Sequence, residues 1–458
     1  MAAALARAFG RWIAGAVFAV AALASGPAAA QSLIRDAEIE ATLRAYTTPL
    51  LNAAGVNPDD VDLYIVNDDS VNAFVAGGQN IFIHTGLLLA AETPNEIIGV
   101  LAHETGHISG GHLARSREAM NQAIAPMLVS IGLGVLAIVA GAPDAGAALI
   151  AGSQSFAMAS FVRHTQAQES AADQAAVQFL DASGQSGRGL ISFFNSQIRP
   201  YEWRQRNLPQ WMITHPYSSD RVESLRLRVE AAEHANATDS ADFVRRFQFM
   251  QAKLIGFIRT ERQTLTRYPT SDTSQPARYA RAVAYYRASN LPAARRELES
   301  LMTEDPRNPY FQELMGQILF ENGRSEESIA YHRRSLDLAP DEPLLQVNLA
   351  RALIAARGRQ GADEAIDLLN RVVAREPDNA YAWRELASAR DLRGEQGLAE
   401  LASAEQNFAI GDYGAAISFA ERARRSLPRN TPSYQRALDI VNFAGLELRD
   451  RQQRGRGS

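Results

Sequence analysis

His103-Glu104-Thr105-Gly106-His107 places two imidazoles four residues apart, with a carboxylate next to the first. On a helix, positions i and i+4 project from one face a turn apart, so His103 and His107 are spaced to share one metal ion. Glu104 is then set to take a proton from a metal-bound water, as a general base in amide hydrolysis must. The preceding run Ile97-Ile98-Gly99-Val100-Leu101-Ala102 is apolar throughout, which suits a buried helix. The chemistry implied is zinc-assisted cleavage of internal peptide bonds, with one Zn2+ per chain. Cysteine is absent from all 458 residues, so disulfides are excluded and every ligand must be a histidine or a carboxylate.

A third ligand must come from elsewhere. A histidine six residues after His107 would be one solution, but Leu113 stands there and His112 misses by one. On a continued ideal helix His112 points away from His103, so it reads as a structural or surface histidine. Downstream, Glu169-Ser170-Ala171-Ala172-Asp173 sets two carboxylates four apart on a second helix. Glu169 is the expected third ligand, with Asp173 accepting a hydrogen bond from a ligand histidine and fixing its tautomer. Glu118 and Asp144 are the other acids between the two motifs, and His164 is the alternative ligand. His215-Pro216 is followed by Arg221, an arginine placed to orient a carboxylate or a polarised carbonyl.

Patterning indicates the elements that carry these residues. Residues 31 to about 60 have a loose helical period through Leu33, Ile34, Ile39, Leu43 and Leu50. Val61, Leu63 and Ile65, then Ala73 and Val75, then Ile81 and Ile83 alternate as strands, with a tight turn at Gly77-Gly78-Gln79-Asn80. A small sheet therefore precedes the helix of the metal motif. Between Ala119 and Val162 the only charge is Asp144, which predicts an apolar hairpin over 123–162. It reads either as a buried helical pair or as a segment that shields the site or touches a membrane surface. Its first half, Ile124 to Ala140, is at the short end for a bilayer crossing. Residues 163–229 are again helical, and Phe243, Phe247, Met250, Leu254 and Phe257 mark an amphipathic bridge to a polar linker at 266–276.

Beyond the linker the chain repeats. Pro306 and Pro340 stand 34 residues apart, with Gly323-Arg324 and Gly358-Arg359 at mid-repeat turns. Period, turn and terminal proline match tetratricopeptide repeats, about four with a capping helix over 277–448. The Arg-rich end, 449–458, is expected to be disordered. At the other end, Arg7 and Arg11, an apolar run from Trp12 to Leu23 and Ala28-Ala29-Ala30 have the layout of a cleaved signal peptide over 1–30. Its removal moves the formal net charge from -5 to -7, and nothing in that balance calls for a nucleic-acid partner. The fold class expected is mostly α with a small β-sheet, a peptidase domain over 31–265 followed by an α-solenoid.

Taken in order, Val71-Asn72-Ala73-Phe74, Gly77-Gly78, Thr85-Gly86-Leu87-Leu88, the motif at His103, the pair Glu169 and Asp173, and His215-Pro216 with Arg221 resemble the M48 family of gluzincin metallopeptidases. The resemblance implies catalytic roles for Glu104, His215 and Arg221. It implies that Asn72, Ala73 and Phe74 bind an extended substrate by edge pairing, and that His215 ligates zinc at rest as a fourth ligand and leaves to admit substrate. A signal peptide before the peptidase and repeats after it are similar to members at work in the Gram-negative periplasm. The partners then implied are unfolded or stalled outer-membrane proteins, with the β-barrel assembly machinery docking on the repeats. Two readings compete: a chaperone or assembly scaffold with a mostly latent metal site, and an inner-membrane protease anchored through 124–162.

Overall fold

The computed structural model describes residues 33–115, 165–198, 215 and 219–456. The expected signal peptide, the apolar hairpin 123–162, Glu118, Asp144, His164 and Pro216 lie outside the described residues. The described residues form two compact units, one of Leu33–Ile34 with Arg44–Asp239, the other of Arg35–Leu43 with Ser240 onward. Among them no helix is long and apolar enough to cross a membrane.

In the first unit, strands β1 (Leu33–Ile34), β2 (Leu63–Val66), β3 (Ala73–Ala76) and β4 (Asn80–His84) make one sheet in the order β1-β2-β4-β3. β2 and β4 are parallel, and the other two pairs are antiparallel. Alternation sends Ile65, Ile81, Ile83 and Ala73 into the core. On the other face Tyr64, Phe82 and Phe74 stand in register and stack, with ring centroids 4.9 and 5.1 Å apart, and such cross-strand pairs pin the register. Leu33–Ile34 was expected to be helical but is strand. Helix α1 (Ala37–Ala53) cannot begin earlier, because the Asp36 carboxylate accepts from the amides of Glu38 and Ile39 at 3.1 and 3.0 Å and caps it there.

After α2 (Thr85–Ala90), α3 (Pro94–Ser109) carries the metal motif. Thr93 caps it by accepting from the Glu96 amide, and Pro94 opens its first turn. The buried Glu96 carboxylate accepts from the Glu92 amide at 2.8 Å and the Ser192 hydroxyl at 2.6 Å, which fixes that end of the helix. Residues 165–182 form the next described helix, α4, followed by α5 (Arg188–Phe193), a π-helical turn at Phe194–Ile198, and α6 (Ser219–Ala231). α3 and α4 meet at Gly106, where a Cβ would lie 2.7 Å from the carbonyl oxygen of Ala172. Only glycine admits so close an approach.

The second unit is helical: α7 (Ala241–Ile258), α8 (Glu261–Arg267), then α9 (Gln275–Arg287), α10 (Leu291–Glu304), α11 (Pro309–Glu321), α12 (Ser325–Leu338), α13 (Pro343–Arg357), α14 (Ala362–Arg375), α15 (Ala380–Leu392), α16 (Gln396–Ala409), α17 (Tyr413–Ser426) and α18 (Pro432–Arg456). Ser274, Asn290, Asn308, Asn379 and Asp412 cap α9, α10, α11, α15 and α17 with their side chains. Each helix packs on the next, and the apolar layers around Tyr279 and Phe311, Leu353 and Leu369, and Ala420 and Ile440 follow one another along the array. That is the α-solenoid expected of tetratricopeptide repeats.

Three expectations shift. α7, attached by sequence to the peptidase domain, groups with the repeats, because Phe249 and Ala252 join Tyr279, Val283 and Phe311 in one core. The expected linker 266–276 overlaps the ends of α8 and α9, and its loop is held by Arg281, which donates to the carbonyls of Pro269 and Asp272 at 2.8 Å. The tail expected to be disordered continues α18 as helix to Arg456, since an established helix extends at little cost.

The same unit buries a charge cluster. Lys253, the only lysine in the chain, lies 2.8 Å from Asp36, 3.5 Å from Glu38 and 3.3 Å from Glu313. The Tyr279 hydroxyl donates to Glu38 at 2.9 Å. Burial pushes Glu38 up to about 7 against the pull of Lys253. Removing one partner of a buried ion cluster leaves the rest uncompensated. Lys253→Met is therefore expected to lower the unit's stability by about 3–5 kcal/mol in denaturant melts, with part recovered by adding Glu38→Gln. A carboxyl whose folded pKa is raised stabilises the fold below its unfolded value and loses that contribution as pH rises through the folded one. Thermal melts of the native chain should accordingly decline from about pH 4.5 to about pH 7, and Glu38→Gln should flatten that decline.

Candidate metal centre

α3 and α4 bring the two sequence motifs together. His103 Nε2 and His107 Nε2 are 3.1 Å apart, and each stands 3.3 Å from an oxygen of Glu169. His215 joins them through Nδ1, 3.1 Å from Glu169 Oε2 and 3.3 Å from His103 Nε2. One ligand atom from each of these four residues can be chosen with all lying within 4.8 Å of one another. Four donors bound tetrahedrally at about 2.0–2.1 Å from one ion stand about 3.3 Å apart, so these separations fit one ion of that coordination.

Glu104 supplies an independent test of fit. Its carboxylate is fully buried, and among the described residues neither oxygen has a hydrogen-bond partner; His215 Nε2 lies 3.6 Å from Oε1. A buried, unpaired carboxylate is costly unless it has work at the site. Burial pushes its pKa up to about 7, within the range of a general base acting near neutrality.

The surrounding groups orient the ligands. His103 Nδ1 lies 2.9 Å from Asp173 Oδ1, leaving Nε2 to face the other ligand atoms. Arg221 donates to both oxygens of Asp173 at 2.6 and 2.9 Å and reaches Glu169 Oε2 at 3.1 Å. Burial opposes a charge on His103, but Asp173 and Glu169 outweigh it and hold its pKa up at about 10. Burial would raise Glu169, yet the imidazoles packed around it, with His103 first among them, hold it well below the usual carboxylate range. Burial lowers His107 and His215. Metal binding must displace the proton that this cluster keeps on His103, so affinity falls in acid.

Of the candidates named from sequence, His103, Glu104, His107, Glu169, Asp173, His215 and Arg221 come together here, while Glu118, Asp144 and His164 lie outside the described residues. Glu169 stands where a third ligand is needed, Asp173 holds His103, and Arg221 grips carboxylates rather than an open carbonyl position. Asn72, Ala73 and Phe74 lie at the outer edge of the sheet: the Asn72 carbonyl accepts from the His84 amide at 3.0 Å, and His215 Nε2 lies 3.4 Å from the Ala73 carbonyl. His112 departs from expectation. α3 stops at Ser109, so the ideal-helix extrapolation fails, and His112 Nδ1 lies 3.0 Å from His107 Nδ1. Its nearness to Gly110-Gly111, residues that end helices, was the available signal.

Residues 33–229 match Peptidase family M48. The chain is 29% identical over 379 residues to the β-barrel assembly-enhancing protease of Yersinia pestis, covering 80% of this chain and 76% of that one. It is 26% identical over 399 residues to the protein of the same name from Escherichia coli strain K12, covering 85% and 80%. Among solved structures, PilW, a widely conserved type IV pilus biogenesis factor, matches at 19% identity and a TM-score of 0.30, covering 42% of this chain and 96% of its own.

Because Asp173 would act on the ion through the groups it orients, His103 above all, Asp173→Asn is expected to weaken metal binding by about 10–100-fold while leaving the stoichiometry at one. Competition with a chromophoric chelator measures this.

Proposed function

We propose that this chain, a metalloprotease whose residues 33–229 are a peptidase M48 domain, is a zinc-dependent endopeptidase of the periplasm that cleaves misassembled or stalled outer-membrane proteins. The observation that carries the catalytic part is the buried Glu104 carboxylate, unpaired among the described residues, beside four converging ligand atoms. The cellular part rests on the signal-peptide layout of residues 1–30 and on two relatives, named as β-barrel assembly-enhancing proteases, that align with most of the chain, repeats included.

His103, His107 and Glu169 would hold the ion, with no thiolate among the donors, as expected of catalytic zinc. Bound there, zinc supplies a Lewis acid that lowers the pKa of a water and polarises a peptide carbonyl. Glu104 would accept the proton of the attacking water and pass it to the leaving amine nitrogen. Asp173, held by Arg221, keeps His103 in its ligating tautomer.

Substrate enters along β3. In that antiparallel pair the Asn72 carbonyl faces β4, so the next carbonyl, of Ala73, faces outward, toward where an added strand would pair. A polypeptide that has failed to close into a β-barrel offers unpaired extended segments of this kind. The Ala73 carbonyl is also where His215 Nε2–H donates. Were His215 to act as a fourth ligand it would close the site, and admitting substrate would then need His215 to move away. An incoming strand that takes the Ala73 carbonyl removes a hydrogen bond that keeps His215 in place. The repeats then serve to bind substrate or the assembly machinery.

A second reading, a chaperone or scaffold with a latent site, draws on His215 standing among the ligand atoms. Glu104→Gln separates the two. An endopeptidase variant of this kind retains one zinc per chain and loses at least about 10²–10⁴-fold in cleavage of an unfolded outer-membrane protein. Unchanged proteolysis would sink the assignment, and full complementation of a deletion strain by an inactive variant would favour the scaffold.

A further inference from the structure

We propose that His112 is a positioning residue for the metal centre, accepting the Nδ1–H of His107 and so holding that ring in the tautomer whose Nε2 lone pair faces the other ligand atoms. The inference rests on the metal-centre reading above and adds one residue to it.

The chain is built to return His112 to this place. The Gly110 amide donates to the Gly106 carbonyl at 3.0 Å and closes α3, and the Gly111 amide donates to Ile108 at 2.9 Å. Gly111 has φ +60, a left-handed conformation that costs glycine little and turns the chain out of the helix. His112 is buried, with its ring edge-on to His107 at 5.0 Å between centroids. Its main-chain carbonyl accepts from Gln168 Nε2 at 3.2 Å, the residue before Glu169, so the turn is tied to the helix of the third ligand. The ring has room because residue 110 is glycine: a Cβ there would lie 2.4 Å from His112 Nε2.

Two ring nitrogens 3.0 Å apart share one proton, one donating and the other accepting. Were His112 the donor, neutral His107 would carry its own proton on Nε2, the atom 3.1 Å from His103 Nε2 and 3.3 Å from Glu169, and could not ligate. With His107 as donor, Nε2 keeps its lone pair. His103 is held at the same ring position by Asp173. Both ligand imidazoles are thus fixed through Nδ1, one by an anion and one by a neutral ring. The neutral acceptor orients His107 without adding a negative charge to Glu104, Glu169 and Asp173.

The test uses the full chain and Zn2+ alone. His112→Phe keeps an aromatic ring and removes the acceptor; His112→Gln offers an amide oxygen in its place; Gly110→Ala leaves His112 but displaces its ring. Chelator competition should show zinc binding weakened about 10–100-fold in His112→Phe and Gly110→Ala, with much of the loss recovered in His112→Gln. In the metal-free chain, 15N ring correlations should report the Nδ1–H tautomer of His107 in the native sequence and its loss in His112→Phe. Affinity unchanged in His112→Phe, or equal loss in His112→Gln, overturns the proposal, with thermal melts of each metal-free variant excluding misfolding. Absence of zinc binding by the native chain would instead overturn the metal-centre reading itself.

Discussion

At Gly106 the main chain of α3 comes against the Ala172 carbonyl, and the site depends on that approach. Two pairs of residues, each four apart, are brought face to face by it. His103 and His107 meet Glu169, and Asp173 is carried to the far side of the His103 ring. Arg221 then balances charge that the two acids would otherwise leave buried and opposed. A methyl group at residue 106 would separate the helices, and with them the ligands from the groups that orient them. The rest of the first unit serves this junction: Glu96 and Thr93 fix where α3 begins, and the sheet sets its outer strand alongside.

Much of this was legible because it follows short periods. A separation of four places His103 with His107 and Glu169 with Asp173 on single helix faces whatever the tertiary context. Alternation about Gly77-Gly78 marked β3 and β4, and the 34-residue spacing marked the repeats. What escaped was set by chain direction or by distance in sequence. The direction of His112 escaped because the helix ends at Ser109, before Gly110-Gly111, and no longer sets where the ring points. β1 was missed because two residues carry no period, and only the cap at Asp36 shows that the helix starts after them. The grouping of α7 with the repeats depends on packing against Tyr279 and Phe311, which no local pattern reports.

The cluster around Lys253 was invisible for the same reason: its acids come from Asp36, Glu38 and Glu313, up to 217 residues away. It also gives physical content to the assignment of Arg35–Leu43 to the second unit. A short segment from near the start of the described chain is held among repeats by charges that are satisfied in one arrangement. A buried ion cluster of this kind is often no more stabilising than apolar packing of equal volume, but breaking it by removing one partner is strongly destabilising. Arg35, bonded to both Glu40 and Glu376, extends the same constraint toward α14 and α15.

Lys253 has a consequence for how this protein meets reagents and modifying enzymes. With one ε-amine in the whole chain and that amine enclosed, the folded protein offers acylating agents, amine cross-linkers and lysine-directed ligases no side-chain target. Arginine carries the rest of its positive charge, in a form that such chemistry does not attack. Any label that appears on Lys253 has therefore entered while this unit was open, which makes the residue a single built-in clock for that opening.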